Sequence, residues 1–242
     1  MPRFFVEGIA PEPGDRITLS EEDSRHVSLT LRMKRGDALT LCDGRGTDCE
    51  CVAVDFAGAV TVEVVSVSPS ASEPPYGATV FQAEVKGDKF DTVIQKAVEL
   101  GAARIVPFVS SHCVSRPDAR DADKKRKRRE RIALEAAKQC GRGTVPSVGA
   151  TVPFEKAVEE AAGADLPLFC WEQATTPLKD VLRGRDPSTV SVVIGPEGGF
   201  SEEEAKAAEE AGLVPVSLGR RILRTETASG AALSVLSYEF DD

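Results

Sequence analysis

The chain has 242 residues, 41% of them hydrophobic and 29% charged, with a mean hydropathy of −0.17, the composition of a globular protein that can build its core without a disulfide or a metal. Its apolar stretches, such as 190–194 and 231–236, fall far short of the ~20 residues of a membrane span, and Met1-Pro-Arg-Phe-Phe is followed by charge rather than by a signal-peptide apolar region, so a soluble cytoplasmic protein is expected. The net charge is −9, yet residues 116–142 hold eleven basic against five acidic side chains, a local +6 on a remainder of −15, which points to an anion-binding stripe on an acidic body.

Residues 4–6, 16–19, 38–41, 51–56 and 60–67 are short runs rich in Val, Leu and Phe, separated by turn signals at 11–14, 34–37, 43–46 and 57–58. They predict a small β-barrel, with one helix starting at Ser20-Glu-Glu-Asp23 and leading into 26–31. A Ser-, Pro- and Glu-rich stretch over 66–76 reads as a linker. The expected domains are therefore a barrel over 1–70, a linker over 71–77 and an α/β domain over 78–242.

After Gly77 strands and helices alternate. Strands are predicted at 79–85, 104–109, 166–171, 189–194 and 214–218. Helices are predicted at 88–100, 124–140, 178–183, 201–211 and 226–240; the first carries Phe90, Val93, Ile94, Ala97 and Leu100 at helical spacing and stops at Gly101. Residues 149–164 carry no signature. Such alternation gives a parallel sheet covered on both faces, with ligands at the carboxyl ends of its strands. The six cysteines, Cys42, Cys49, Cys51, Cys113, Cys140 and Cys170, form no C-x-x-C, and only His26 and His112 accompany them. No metal site is expected, and the thiols read as reduced and packed.

The strongest local feature is Gly195-Pro-Glu-Gly-Gly-Phe200, directly after an apolar strand and before Ser201-Glu-Glu-Glu204, a capping box. Glycines at a strand-to-helix turn let backbone amides approach a ligand. No phosphate-loop motif is present, and Glu197, Glu202, Glu203 and Glu204 crowd the place of a phosphate, so a neutral or cationic ligand suits the turn better. After the next strand, Leu218-Gly-Arg-Arg-Ile-Leu-Arg-Thr-Glu-Thr-Ala228 opens another helix, with Thr225 or Thr227 as the expected cap. The two loops would form opposite walls of one pocket, and Phe169-Cys-Trp-Glu172 a third.

These loops closely resemble those of the SPOUT (α/β-knot) RNA methyltransferases. The fuller set resembles one branch, the ribosomal small-subunit 16S rRNA uridine-N3 methyltransferases: Pro2-Arg-Phe-Phe, His26 through Leu31-Arg-Met-Lys-Arg-Gly-Asp37, Lys86-Gly-Asp-Lys-Phe90, Ile94-Gln-Lys-Ala-Val-Glu-Leu-Gly101 and Gln139-Cys-Gly-Arg142. The likeness covers nearly the whole chain; His112 stands where the family carries arginine. It implies a trefoil-knotted carboxy-terminal domain, a PUA-like barrel that helps hold RNA, and a homodimer in which RNA held by one subunit is methylated in the other. S-adenosylmethionine would be held, bent, by Gly195, Pro196, Glu197, Gly198, Gly199, Leu218, Gly219, Ile222, Leu223, Arg224 and Thr225, with Ala228 close by and Phe169 and Trp171 on the third wall; S-adenosylhomocysteine would be the product. Arg224 would supply positive charge to the N3 anion of uridine, and Glu226 would position it or take the proton.

The partner implied is 16S rRNA, within the assembled small subunit. Lys124-Lys-Arg-Lys-Arg-Arg129 near a helix start opposes the helix dipole, with Asp118, Asp121 and Asp123 partly offsetting it. Phosphate contact is the functional reading of this run. Lys124, Lys125, Arg126, Arg3, His26, Arg32, Lys34, Arg35, Lys86, Arg116 and Arg142 are the candidates. Aromatics are only 5% of the chain, so charge and shape should outweigh base stacking, with the uridine flipped into the pocket. The alternatives are a related enzyme acting on a ribose 2′-oxygen or another base, and a non-catalytic rRNA-binding assembly factor.

Overall fold

The computed structural model describes residues 1–6, 8, 11–116 and 119–241. The chain forms two compact units, Met1–Glu73 with Ala137–Val145, and Pro74–Ala136 with Pro146–Asp242.

The first unit is built on a five-stranded sheet. Strand β1 (Arg3–Phe5) pairs in parallel with β3 (Ala38–Cys42), and antiparallel ladders join β3 to β4 (Thr47–Asp55), β4 to β5 (Thr61–Pro69) and β5 to β2 (Arg16–Thr18). Strand β4 begins earlier than the sequence suggests, because its core face is made of small residues, Cys49, Cys51 and Ala53, which are buried in alternation. Two register shifts between β4 and β5 bend the ladder. Ser20 caps α1 (Glu21–Arg25) by accepting from the Asp23 backbone N–H. The chain then makes one π-helical turn, His26–Thr30, and Arg32 adopts φ 53°.

The 137–145 segment, expected in the α/β domain, belongs to this first unit. Its anchor is Glu73, whose carboxylate accepts from the Arg142 guanidinium and from the backbone N–H groups of Gly143 (2.9 Å) and Thr144 (3.0 Å). The expected linker is thus not a free connector: Glu73 is bonded, and β6 already starts at Gly77.

The second unit is a parallel sheet. Its strands are β6 (Gly77–Ala83), β7 (Ala102–Val109), β8 (Ser147–Val148), β10 (Leu166–Cys170), β11 (Thr189–Ile194) and β12 (Val214–Val216), in the order β12-β10-β11-β6-β7-β8; β9 (Val152–Pro153) also pairs with β7. The connecting helices are α2 (Lys89–Glu99), α3 (Ala122–Cys140), α4 (Phe154–Ala161), α5 (Leu178–Leu182), α6 (Glu202–Glu210) and α7 (Thr225–Phe240). Helix α4 lies where the sequence showed no signature. Its buried stripe is Phe154, Ala157, Val158 and Ala161, a helical spacing written mostly in alanine and so weak in hydrophobic contrast. Helix α7 buries Thr225, Ser229, Ala232, Leu233 and Leu236, and a Cβ on Gly230 would sit 3.8 Å from Leu100.

Phe81, Val106, Phe108, Phe154, Phe169, Val193 and Phe200 fill one core under this sheet. Among the described residues no disulfide is formed. Among the described residues no helix is long and apolar enough to cross a membrane, and no cluster of His, Cys, Asp and Glu could hold a metal ion.

Candidate active site

Strand order places the site. Strand β10 lies between β11 and β12, with Cys170 in register with both Ile194 and Val216. Three strand ends therefore stop at one level, and the chains leaving them surround a single cavity of about 560 Å³. One helix, α6, carries the chain from β11 to β12 past the intervening β10, so the loop after β10 forms the floor between the two walls.

The cavity is lined by Trp171, Gly195, Pro196, Glu197, Gly198, Gly199, Leu218, Gly219, Ile222, Leu223, Arg224, Thr225 and Ala228, together with Lys89, Cys170, Glu172, Arg220 and Arg221. Phe169 is the exception among the residues assigned to it. Its side chain alternates to the other face of β10, is fully buried and packs on Phe200 at a centroid distance of 4.4 Å. The indole of Trp171 lines the floor, and its Nε1 is buried with no protein acceptor.

The glycine turn has a structural cause of its own. A Cβ on Gly195 would meet the Phe200 ring at 2.9 Å, and Gly199, at φ +70°, would bring one to 2.6 Å from Glu172 Oε1. Space for Phe200 under the turn therefore requires glycine at 195, and the positive φ favours it at 199. His112 braces the same turn through its Nδ1, 3.1 Å from the Gly198 carbonyl oxygen.

Glu204 is consumed by structure: it closes the capping box with Ser201 and accepts from the Ser111 backbone N–H at 2.7 Å. Glu202 and Glu203 lie outside the lining, so the acidic character of the cavity comes from Glu197 and Glu172. Burial works against the charged Glu197 carboxyl, but its own backbone N–H, the Lys89 ammonium and the Lys86 backbone N–H hold it below the ordinary value. Burial pushes the Cys170 thiol up to about 12, so no thiolate faces the cavity near neutrality.

Neither threonine caps α7. Arg224 occupies the cap position without a side-chain cap bond. Thr225 instead donates its hydroxyl to the Gly195 carbonyl oxygen at 2.6 Å and accepts from Gln82 Nε2 at 2.8 Å. Arg224 is exposed, and Glu226 is largely buried, with Oε2 out of hydrogen-bond reach of any donor among the described residues. Lys89, at the first position of α2, lies between the carboxylates: its Nζ is 3.1 Å from Glu197 Oε1 and 4.0 Å from Glu226 Oε2. Lys89 escaped the sequence reading as a site residue, although it stands inside the quoted Lys86-Gly-Asp-Lys-Phe90 motif.

The basic residues separate into two groups. Arg3 pairs with Asp48 at 2.6 and 2.9 Å, and Arg142 is buried against Glu73. Lys125 reaches Glu84 at 2.9 Å, and Arg126 pairs with Glu130. Arg3, Arg142 and Lys125 thus each pair with a carboxylate of the protein. Arg116 is exposed and contacts the Ser111 carbonyl oxygen at 3.5 Å. His26, Arg32, Lys34, Arg35, Lys86 and Lys124 are exposed. Asp118 lies outside the described residues. Cys140 is half-buried, its Sγ 3.8 Å from the Ala137 carbonyl oxygen.

Comparison with known proteins shows the family. The RNA methyltransferase domain family matches residues 72–237. Ribosomal RNA small subunit methyltransferase E of Bacillus subtilis is 32% identical, covering 99% of this chain and 97% of its own. The chain belongs to the ribosomal RNA small subunit methyltransferase E family. Two solved structures are similar throughout. The Neisseria gonorrhoeae methyltransferase E, bound to S-adenosylmethionine, has a TM-score of 0.84 at 32% identity and covers 98% of this chain and 97% of its own. A Legionella pneumophila methyltransferase, also in complex with S-adenosylmethionine, has a TM-score of 0.83 at 35% identity and covers 98% and 96%.

Proposed function

We propose that the protein transfers the methyl group of S-adenosylmethionine to N3 of a uridine in the 16S rRNA of the small ribosomal subunit. The family supports the reaction class and the cofactor. The observation that carries the reading is the single cavity at three aligned strand ends, walled by the glycine turn and the loop before α7. Its volume lies within the range of small-molecule sites, roughly 300–1,000 Å³.

The residues present fit the cofactor. Ile194, Val216 and Leu218 offer an apolar slot, and the orphaned Trp171 Nε1 offers a donor. Glu172 and Glu197 face a cationic ligand favourably, while Arg220, Arg221 and Arg224 suit a carboxylate. When bound, S-adenosylmethionine supplies a methyl group on a sulfonium sulfur, which leaves as the neutral thioether of S-adenosylhomocysteine.

Uracil N3–H is weakly acidic, so the protein must remove a proton and stabilise the anion that attacks. Glu226 has acceptor capacity that no protein donor uses, and it takes the N3 proton. Arg224, at the cap of α7 on the cavity wall, brings positive charge to the resulting anion. His26, Arg32, Lys34, Arg35, Lys86 and Lys124 hold rRNA phosphates, which position the substrate without reading its sequence.

The same reading makes the first unit a PUA-like barrel, the second a knotted SPOUT domain, and the molecule a cytoplasmic homodimer. Val235 and Tyr238 on α7, the latter 89% exposed, supply apolar surface for self-association. The test is production of the protein in a bacterium whose small-subunit RNA lacks 3-methyluridine, followed by nucleoside analysis. Appearance of 3-methyluridine supports the assignment; a methylated ribose or another methylated base redirects it to a related enzyme.

A further inference from the structure

We infer that Lys89 is a catalytic residue, donating its ammonium to a carbonyl oxygen of the target uracil and stabilising the N3 anion. The inference rests on the methyl-transfer reading above and deepens it.

Three observations meet at Lys89. Its side chain lines the cavity and is 38% exposed, so the ammonium can meet a ligand. Glu197 Oε1 holds it at 3.1 Å, which fixes its direction and satisfies one of its three N–H groups. Glu226 Oε2 lies 4.0 Å away, shielded from solvent and beyond hydrogen-bond reach of any protein donor. Two carboxylates flank one ammonium, yet only one of them is bonded to it. Donor capacity is left over beside the carboxylate assigned to the N3 proton.

The chemistry of uracil completes the geometry. N3 stands between the O2 and O4 carbonyls, and deprotonation spreads its charge over both oxygens. A base whose N3 reaches Glu226 therefore presents a carbonyl oxygen towards an ammonium only 4.0 Å from that carboxylate. The cation gains most after the proton has left, and stabilisation of that kind lowers the barrier rather than merely tightening binding. Arg224 lines the cavity from the loop before α7 and Lys89 from the start of α2, so two cations on different elements are available to one delocalised anion.

The test compares Lys89→Met and Lys89→Arg with the parent protein, using small ribosomal subunits lacking the modification. Methyl transfer, calorimetric binding of S-adenosylmethionine and the melting temperature are measured on each. Lys89→Met is expected to lose about 100-fold in kcat, the scale of removing one oxyanion donor, with cofactor Kd changed less than about threefold. Its rate should rise more steeply with pH than the parent's, because the N3 anion must now form with one of its two cations missing. The deficit should also shrink on subunits carrying 5-fluorouridine, whose N3–H is more acidic. Lys89→Arg keeps the charge and should recover at least about tenfold of the loss.

Turnover of Lys89→Met within threefold of the parent overturns the inference. So does an equal loss in cofactor affinity, or equal loss in both variants with an unchanged pH profile. Absence of transfer by the parent protein itself would instead sink the methyltransferase reading.

Discussion

The Thr225 hydroxyl donates to the Gly195 carbonyl oxygen across 2.6 Å while accepting from Gln82 Nε2 at 2.8 Å. One side chain thus ties the first turn of α7 to the turn after β11 and to the end of β6. The two cavity walls cannot separate without breaking it. Thr225→Val should cost about 1–3 kcal/mol by stranding two buried polar groups, and should weaken S-adenosylmethionine binding about tenfold, while Thr225→Ser retains both. Thermal melting and calorimetry check this; a lower melting temperature with unchanged affinity would confine Thr225 to packing.

Arg224 lines the same cavity, exposed, and no carboxylate among the described residues pairs with it. Alanine there should reduce turnover by at least about 100-fold and leave cofactor binding measurable. Near-normal turnover would remove Arg224 from the mechanism.

Glu84 is fully buried and accepts from the Arg129 guanidinium at 2.9 and 2.8 Å, from Lys125 Nζ at 2.9 Å and from the Thr151 hydroxyl at 2.8 Å. Burial opposes its charge, but Arg129, Lys125 and Thr151 outweigh burial and hold it below the ordinary value of 4.5. A folded value below the unfolded one means that this stabilisation is complete above the unfolded value and fades as pH falls through the folded one. Glu84→Gln should cost about 3–5 kcal/mol near neutrality, by stranding buried cations. The difference from the parent should narrow as pH falls below about 4.5 and through the lower folded value. Melting curves across that range decide the matter, and a pH-independent difference would contradict it.

Arg32 and Lys124 are exposed, whereas Arg3 and Arg142 are held by Asp48 and Glu73. Alanine at Arg32 or Lys124 should weaken rRNA binding and lower the salt slope by about 1 each, with little effect on melting. Alanine at Arg142 should lower the melting temperature, because it leaves the half-buried Glu73 carboxylate without its cation. Equal salt slopes for all variants would remove Arg32 and Lys124 from the RNA surface.

The sequence made legible what depends on short-range pattern. The apolar strand before Gly195, the Ser201–Glu204 capping box and the helical spacing from Phe90 to Ala97 lie within a few residues of one another, and each folds as its pattern directs. What escaped depends on strand order. Lys89 meets Glu197 across 108 residues because β6 lies beside β11, and nothing local to either residue says so. The same limit made Arg3, Lys125 and Arg142 look like free cations: a sequence counts charges, but only the fold reveals their partners. Phe169 was one position out of phase, since the period of a strand sends Cys170 to the cavity and Phe169 to the core.

The most direct measurement uses S-adenosylmethionine labelled in its methyl group, incubated with the protein and unmethylated small ribosomal subunits, then digestion to nucleosides. The account predicts label in 3-methyluridine, from the assembled subunit in preference to naked 16S rRNA. Label in no nucleoside from either substrate, with the protein folded and S-adenosylmethionine bound, would contradict it.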